Sequence, residues 1–203
     1  MRKSAESKAD ELGYVLDAAQ LRTIDQLAQL ASELESACGQ PGLLKRIFFK
    51  KKPPKGMYLW GGVGRGKTFL MDLFYEHVEL GQKKRIHFHR FMQEVHYRLK
   101  NLQGHENPLR RIGKDIASKT KLLCLDEFHI SDIGDAMIMR NLLEALFHED
   151  VVIVTTANWM PDKLYEHGLQ RAQFLPTIDL INSKMSIVNL DAGEDYRLRS
   201  LEK

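Results

Sequence analysis

Apolar positions recur along this chain in two rhythms. From Asp17 to Cys38, Leu21, Ile24, Leu27, Ala28, Ala31 and Leu34 fall at three- and four-residue spacing. That spacing predicts an amphipathic helix packed by one face on the rest of the molecule. Gln40-Pro41-Gly42 supplies its stop. Residues 1–10 ahead of it are polar and read as a solvated lead-in. A short apolar patch, Leu43 to Phe49, leads to Lys50-Lys51-Lys52-Pro53-Pro54, a linker by composition. Beyond Lys55 short apolar runs alternate with helical stretches. Strands are expected at Met57–Trp60, Arg85–His89, Lys121–Leu125, Val151–Thr155 and Ser186–Leu190. Helices are expected at Thr68–Val78, from Met92 to about Leu102, and at Asp135–Phe147, with a shorter one over Pro161–His167 and Pro108 in a loop. Strands with almost no polar alternation are buried on both faces, which parallel sheets require. Strand–helix alternation then predicts an α/β fold, a five-stranded parallel sheet sandwiched between helices. The expected division is a helical arm and linker over 1–54 and a core over 55–203.

Composition narrows the class. With 43% hydrophobic and 28% charged residues the chain is globular, and 203 residues suffice for one α/β domain with an arm. A net charge of +3 is too mild to argue for nucleic acid by itself. Two cysteines, Cys38 and Cys124, make no disulfide framework and suit a reducing compartment. No apolar run reaches bilayer length, and the N-terminus lacks the apolar stretch of a secretory signal. A cytoplasmic protein is expected.

Between the first strand and its helix stands Gly61-Gly62-Val63-Gly64-Arg65-Gly66-Lys67-Thr68. It fits G-x-x-x-x-G-K-[ST], the phosphate loop of nucleoside-triphosphate-binding proteins. Glycines let the backbone curl until successive N–H groups face one point, and the helix beginning there presents its positive end. The expected cradle for ATP or ADP runs from Gly61 to Phe69. Lys67 would reach the β- and γ-phosphates, and Thr68 would offer its hydroxyl to Mg²⁺.

Downstream, Leu122-Leu123-Cys124-Leu125 ends in Asp126-Glu127. A hydrophobic strand ending in an acid means little alone. After a phosphate loop, it places Asp126 in the Mg²⁺ shell and Glu127 as the base for the attacking water. Open α/β sheets bind ligands at this carboxyl end of the strands. The next buried strand ends at Ala157-Asn158. If the strands are neighbours, Asn158 can hold the water and the γ-phosphate. An Asn in a strand-to-helix turn is equally common, and the residues alone leave its role open.

Several stretches together resemble the ZapE family of bacterial cell-division ATPases, which is related to a mitochondrial AAA+ ATPase. They are Tyr58-Leu59-Trp60 running into the loop, Met71-Asp72-Leu73-Phe74-Tyr75, His87-Phe88-His89-Arg90-Phe91-Met92 and Leu125-Asp126-Glu127-Phe128. Ser131-Asp132-Ile133, Asp135-Ala136-Met137, Gly168-Leu169-Gln170-Arg171, Phe174-Leu175-Pro176 and Asp195-Tyr196-Arg197-Leu198-Arg199 extend the match over nearly all of 55–200. The resemblance implies a P-loop NTPase of the AAA+ (ASCE) type that hydrolyses ATP with Mg²⁺. It implies the sensor role for Asn158. It also implies that Arg171 is an arginine finger completing the site of a neighbouring copy in a homo-oligomer. Asp17 and Gln20 match an N-terminal Asp-x-x-Gln pattern, with Gln20 a candidate for adenine contact. The resemblance further implies FtsZ polymers near the inner membrane as the client. Family members continue beyond the Asp-Tyr-Arg stretch, so the chain reads as a fragment without the helical lid. The alternative expectation is a nucleic-acid-linked AAA+ ATPase, such as a helicase loader.

Other features carry less. His87 and His89 have no further ligands at metal-binding spacing, nor do His96 and His105 complete a set. Phe91-Met92 stands where translocating AAA+ proteins place a pore loop, but core packing at the start of a helix explains it as well. The basic runs Lys50-Lys51-Lys52 and Lys83-Lys84-Arg85 are solvated faces by default, with contact to an anionic membrane or to nucleic acid as the sharper reading.

Overall fold

A computed structural model describes residues 1–38 and 52–191. Five parallel strands form one sheet in the order β2-β3-β4-β1-β5: β1 is Gly56–Trp60, β2 Lys83–His87, β3 Leu122–Asp126, β4 Val152–Ala157 and β5 Met185–Asn189. Helices α1 (Arg2–Glu11), α2 (Ala18–Cys38) and α3 (Lys67–His77) cover one face. Helices α4 (Phe88–Asn101), α5 (Pro108–Lys119), α6 (Ile133–His148) and α7 (Arg171–Lys184) cover the other. This is the α/β sandwich expected from the apolar runs.

Successive strand residues point to opposite faces, and the core divides accordingly. Met57, Leu59, Leu122, Cys124, Val152 and Val154 pack with α1, α2 and α3. Tyr58, Leu123, Leu125 and Ile153 pack with α4–α7. Because β1, β3 and β4 are central, a polar group can leave the sheet only at a strand end, and the chemistry collects there.

The differences from expectation have local causes. Residues 1–10 are no solvated lead-in: α1 buries Ala5 and Ala9 against the core. Two alanines four residues apart give a stripe too narrow to stand out in a polar sequence. Strand β2 ends at His87, and α4 starts at Phe88 rather than Met92. Phe91 and Met92 are buried inside α4, so they are core residues, not an exposed loop. Pro108 opens α5 at its first turn, where a proline's missing N–H costs nothing. The Pro161–His167 stretch contributes only a 3-10 turn, Pro161–Lys163. Helix α7 was not signalled because Pro176 interrupts it, yet burial of Phe174, Thr177, Ile178 and Ile181 holds it together. Gln40-Pro41-Gly42, Leu43–Phe49, Lys50, Lys51 and Asp195–Arg199 lie outside the described residues.

Candidate active site

The ends of β1, β3 and β4 bring the phosphate loop, the acidic pair and Asn158 to one edge of the sheet. The loop leaves β1 with Gly61 N–H donating to the Ala157 carbonyl at the end of β4, 3.3 Å away. Gly64 and Gly66 take φ of +85° and +73°, the left-handed region that only glycine enters cheaply. Gly66 caps α3, and a Cβ there would come within 2.8 Å of Gln20 Nε2. The backbone therefore curls closely enough for the first N–H groups of α3 to point at an anion. Lys67 folds across the loop, its ammonium donating to the carbonyls of Gly61 (2.7 Å) and Gly62 (2.6 Å). Val63 is exposed, and Phe69 meets Tyr14 edge-on at 5.5 Å.

Three contacts distant in sequence brace this loop. Arg65 is only 6% exposed, and its guanidinium donates twice to the Leu190 carbonyl (2.9 and 2.6 Å). Its side chain thus fastens the loop to the end of β5, leaving its backbone for the cradle. Asp191 accepts from Gly62 N–H at 2.7 Å. Asp17 and Gln20 form a reciprocal cap on α2, each side chain accepting from the other's backbone N–H (2.8 and 3.0 Å). Gln20 Nε2 then donates to the Arg65 carbonyl at 3.2 Å. With Gln20 1% exposed, its amide supports the loop from behind.

At the end of β3, Asp126 is 4% exposed. Its Oδ2 accepts from Arg85 Nε at 2.7 Å, while its Oδ1 is buried without a hydrogen-bond partner. A buried carboxylate oxygen left unpaired costs about 1–3 kcal/mol or more, and such an atom is a place for a cation. The Thr68 side chain, exposed on the first turn of α3, makes no hydrogen bond among the described residues. One carboxylate and one hydroxyl match the donor set of Mg²⁺, which takes few protein oxygens and completes its shell with phosphates and water. The residues present fit the ion.

Glu127 sits at φ +56° with its side chain 80% exposed. A non-glycine residue here stores strain of order 1 kcal/mol, and such strain clusters at functional sites. Thr156 holds it in place. Its hydroxyl accepts from Glu127 N–H at 2.9 Å, and its carbonyl accepts from Phe128 N–H at 2.7 Å. His87 Nδ1 lies 4.0 Å from Glu127 Oε2. Asn158 emerges exposed between the acidic strand and the phosphate loop, because β4 runs between β3 and β1. Tyr58 OH pins the backbone that follows by donating to the Trp159 carbonyl at 2.9 Å.

Arg171 is not gathered with these residues. It is the first residue of α7, where Nη2 donates to the Asp162 carbonyl at 2.5 Å and Nε is buried without a partner. It makes no bond to Lys67, Glu127 or Asn158. The run Lys83-Lys84-Arg85 is engaged internally rather than left as a solvated face. Lys83 caps α3 through the carbonyls of Tyr75 (2.6 Å) and Val78 (2.7 Å). Lys84 pairs with Glu94 at 2.7 Å, and Arg85 with Asp126 and Asp72. Thr156, Arg85 and the Leu190–Asp191 brace carry no signal in the sequence.

A sequence model of the AFG1-like ATPase family matches residues 2–203. The chain belongs to the AFG1-like ATPases. Within that family it is 52% identical over 157 residues to cell division protein ZapE of Escherichia coli K12, covering 77% of this chain and 42% of that protein. It is 47% identical over 165 residues to lactation elevated protein 1 homolog B of Danio rerio, covering 75% of this chain and 33% of that protein. The chain thus spans less than half the length of these relatives. Among solved structures, DnaI superposes with a TM-score of 0.59 at 19% identity, covering 89% of this chain and 86% of that one. That likeness is one of fold.

Proposed function

We propose that this chain is the catalytic core of a Mg²⁺-dependent AAA+ ATPase acting in bacterial cell division. Carrying the reading is the meeting of a glycine loop at a helix N-terminus with a buried carboxylate whose second oxygen has no partner. Residues 55–203 would carry the ATPase and residues 1–54 the arm that buttresses it.

The loop amides of Gly61–Phe69 would hold the phosphates of ATP, and Lys67 would exchange the Gly61 and Gly62 carbonyls for β- and γ-phosphate oxygens. Thr68 and Asp126 would hold Mg²⁺, which when bound neutralises charge developing on the transferred phosphoryl group. Glu127, aimed by its left-handed backbone and by Thr156, takes a proton from the attacking water. Asn158 holds that water against the γ-phosphate. Arg171, bonded to nothing in its own site, serves the neighbouring copy in a homo-oligomer. Among the described residues no helix is long and apolar enough to cross a membrane. The location proposed is the cytoplasm, with peripheral contact at the inner membrane.

The client proposed is FtsZ polymers, as the family resemblance implies; the E. coli relative's name, cell division protein, supports the division role alone. Turnover measured with FtsZ polymers and with single-stranded DNA separates this from a helicase-loader role. Stimulation by FtsZ alone supports the proposal; stimulation by DNA alone overturns its client.

A further inference from the structure

The two protein donors read here as holding Mg²⁺ stand on different elements, Thr68 on α3 and Asp126 on β3. One chain of side chains joins those elements at the site. Asp72 lies one helical turn beyond Thr68 on α3 and pairs with Arg85 Nη1. Arg85 reaches from β2, the neighbour of β3, and its Nε donates to Asp126 Oδ2 at 2.7 Å. The guanidinium thus spans two carboxylates with two different nitrogens, a geometry that its rigid planar fork allows. Arg85 takes one Asp126 oxygen and leaves the other, Oδ1, buried and unpartnered. One oxygen of Asp126 is thereby held, and through Arg85 and Asp72 it is tied to the helix that carries Thr68.

We infer that Arg85, with Asp72, is a strut that sets the spacing of Thr68 and Asp126 and presents Asp126 Oδ1 to the divalent cation. Arg85 is a positioning residue, since it acts through Asp126. The inference rests on the proposed role of Thr68 and Asp126. It explains why a guanidinium lies beside a carboxylate that is to bind a cation. The positive charge opposes the ion, but the half of the carboxylate it occupies is not the half the ion would use. Partners of metal ligands typically change metal affinity by ~10–100-fold when removed.

The test is titration of the protein–ADP complex with Mn²⁺, read by electron paramagnetic resonance, alongside ADP affinity in EDTA. Arg85→Met is expected to weaken Mn²⁺ binding by ~10–100-fold while ADP affinity in EDTA stays within about twofold. Asp72→Asn, at a half-buried position, is expected to weaken Mn²⁺ several-fold. Mn²⁺ binding that is unchanged or tighter in Arg85→Met overturns the strut, because the arginine would then merely compete with the ion. A parallel loss of ADP affinity in EDTA also overturns it, since that reports general loosening. Should Arg85→Met fail to fold, Asp72→Asn decides: weaker Mn²⁺ supports the strut and unchanged Mn²⁺ overturns it. Absence of ADP binding by the unsubstituted chain would instead contradict the ATPase reading.

Discussion

Thr156→Val removes one hydroxyl and changes little else, because the two side chains are nearly isosteric. Thr156 is buried at the end of β4, and its hydroxyl accepts the Glu127 N–H at 2.9 Å. Losing that acceptor forfeits a hydrogen bond worth about 1 kcal/mol and leaves a donor unpaired, for a total of about 1–3 kcal/mol. Glu127 already holds a left-handed backbone at φ +56°, a strain of order 1 kcal/mol. Removing the bond that pays for this strain lets the residue relax toward ordinary φ and turns its carboxylate away from the water. Each ~1.4 kcal/mol is a tenfold rate factor, so kcat should fall about 10- to 100-fold. ADP affinity should stay within about threefold, because the phosphate loop bonds to Ala157 rather than to the Thr156 hydroxyl. Steady-state phosphate release, ADP titration and urea unfolding are the assays. Thr156→Ser, which keeps the hydroxyl, should retain most turnover. Full kcat in Thr156→Val, or a fall in ADP affinity as large as the fall in kcat, would refute this reasoning.

Further outcomes follow from the same geometry. Lys67→Ala should abolish ATP binding in a nucleotide titration, whereas Glu127→Gln should bind ATP normally and release no phosphate. Arg171→Ala should keep ATP binding and lose about 10³–10⁵-fold in turnover; mixing it with Glu127→Gln should restore part of the activity if the finger acts between copies. Gln20→Ala should cost about 1 kcal/mol of stability in urea unfolding, through loss of one buried hydrogen bond and one side of the α2 cap, and should weaken ADP binding as the loop loses its brace. Asp132 caps α6 by accepting the Asp135 N–H at 2.9 Å, and that backbone hydrogen bond holds its pKa below the usual 3.8. A depressed folded-state pKa adds stability that is present above the unfolded value and lost as pH falls through the folded one. The cost of Asp132→Ala in urea unfolding should therefore be full near neutral pH and shrink below pH ~3.8.

The loop and the acidic pair were legible because each is written in consecutive residues: Gly61–Thr68 by its spacing, Asp126-Glu127 by the apolar strand before it. The sheet was legible for the same reason, since β1, β3 and β4 are uninterrupted apolar runs. What supports the site was not legible. Gln20 reaches Arg65 across 45 residues, Arg85 reaches Asp126 across 41, and Arg65 reaches Leu190 across 125. No local pattern marks such pairs, because each residue alone is an ordinary surface type. Lys83-Lys84-Arg85 shows the consequence: composition gave a solvated basic face, but the fold turned each cation to a partner. Helices α1 and α7 escaped notice for local reasons. Ala5 and Ala9 form a weak stripe, and Pro176 masks the period of Phe174, Ile178 and Ile181. For Asn158 the strand order supplies the position, between the acidic strand and the phosphate loop, which the sequence left open.

Phosphate release from ATP with Mg²⁺, measured per chain at rising protein concentration for the unsubstituted protein and for Glu127→Gln, tests the central claim most directly. The account predicts release that climbs with concentration in the former and is absent in the latter, with ATP bound equally by both. Bound ATP without release at any concentration, or equal release from Glu127→Gln, would contradict it.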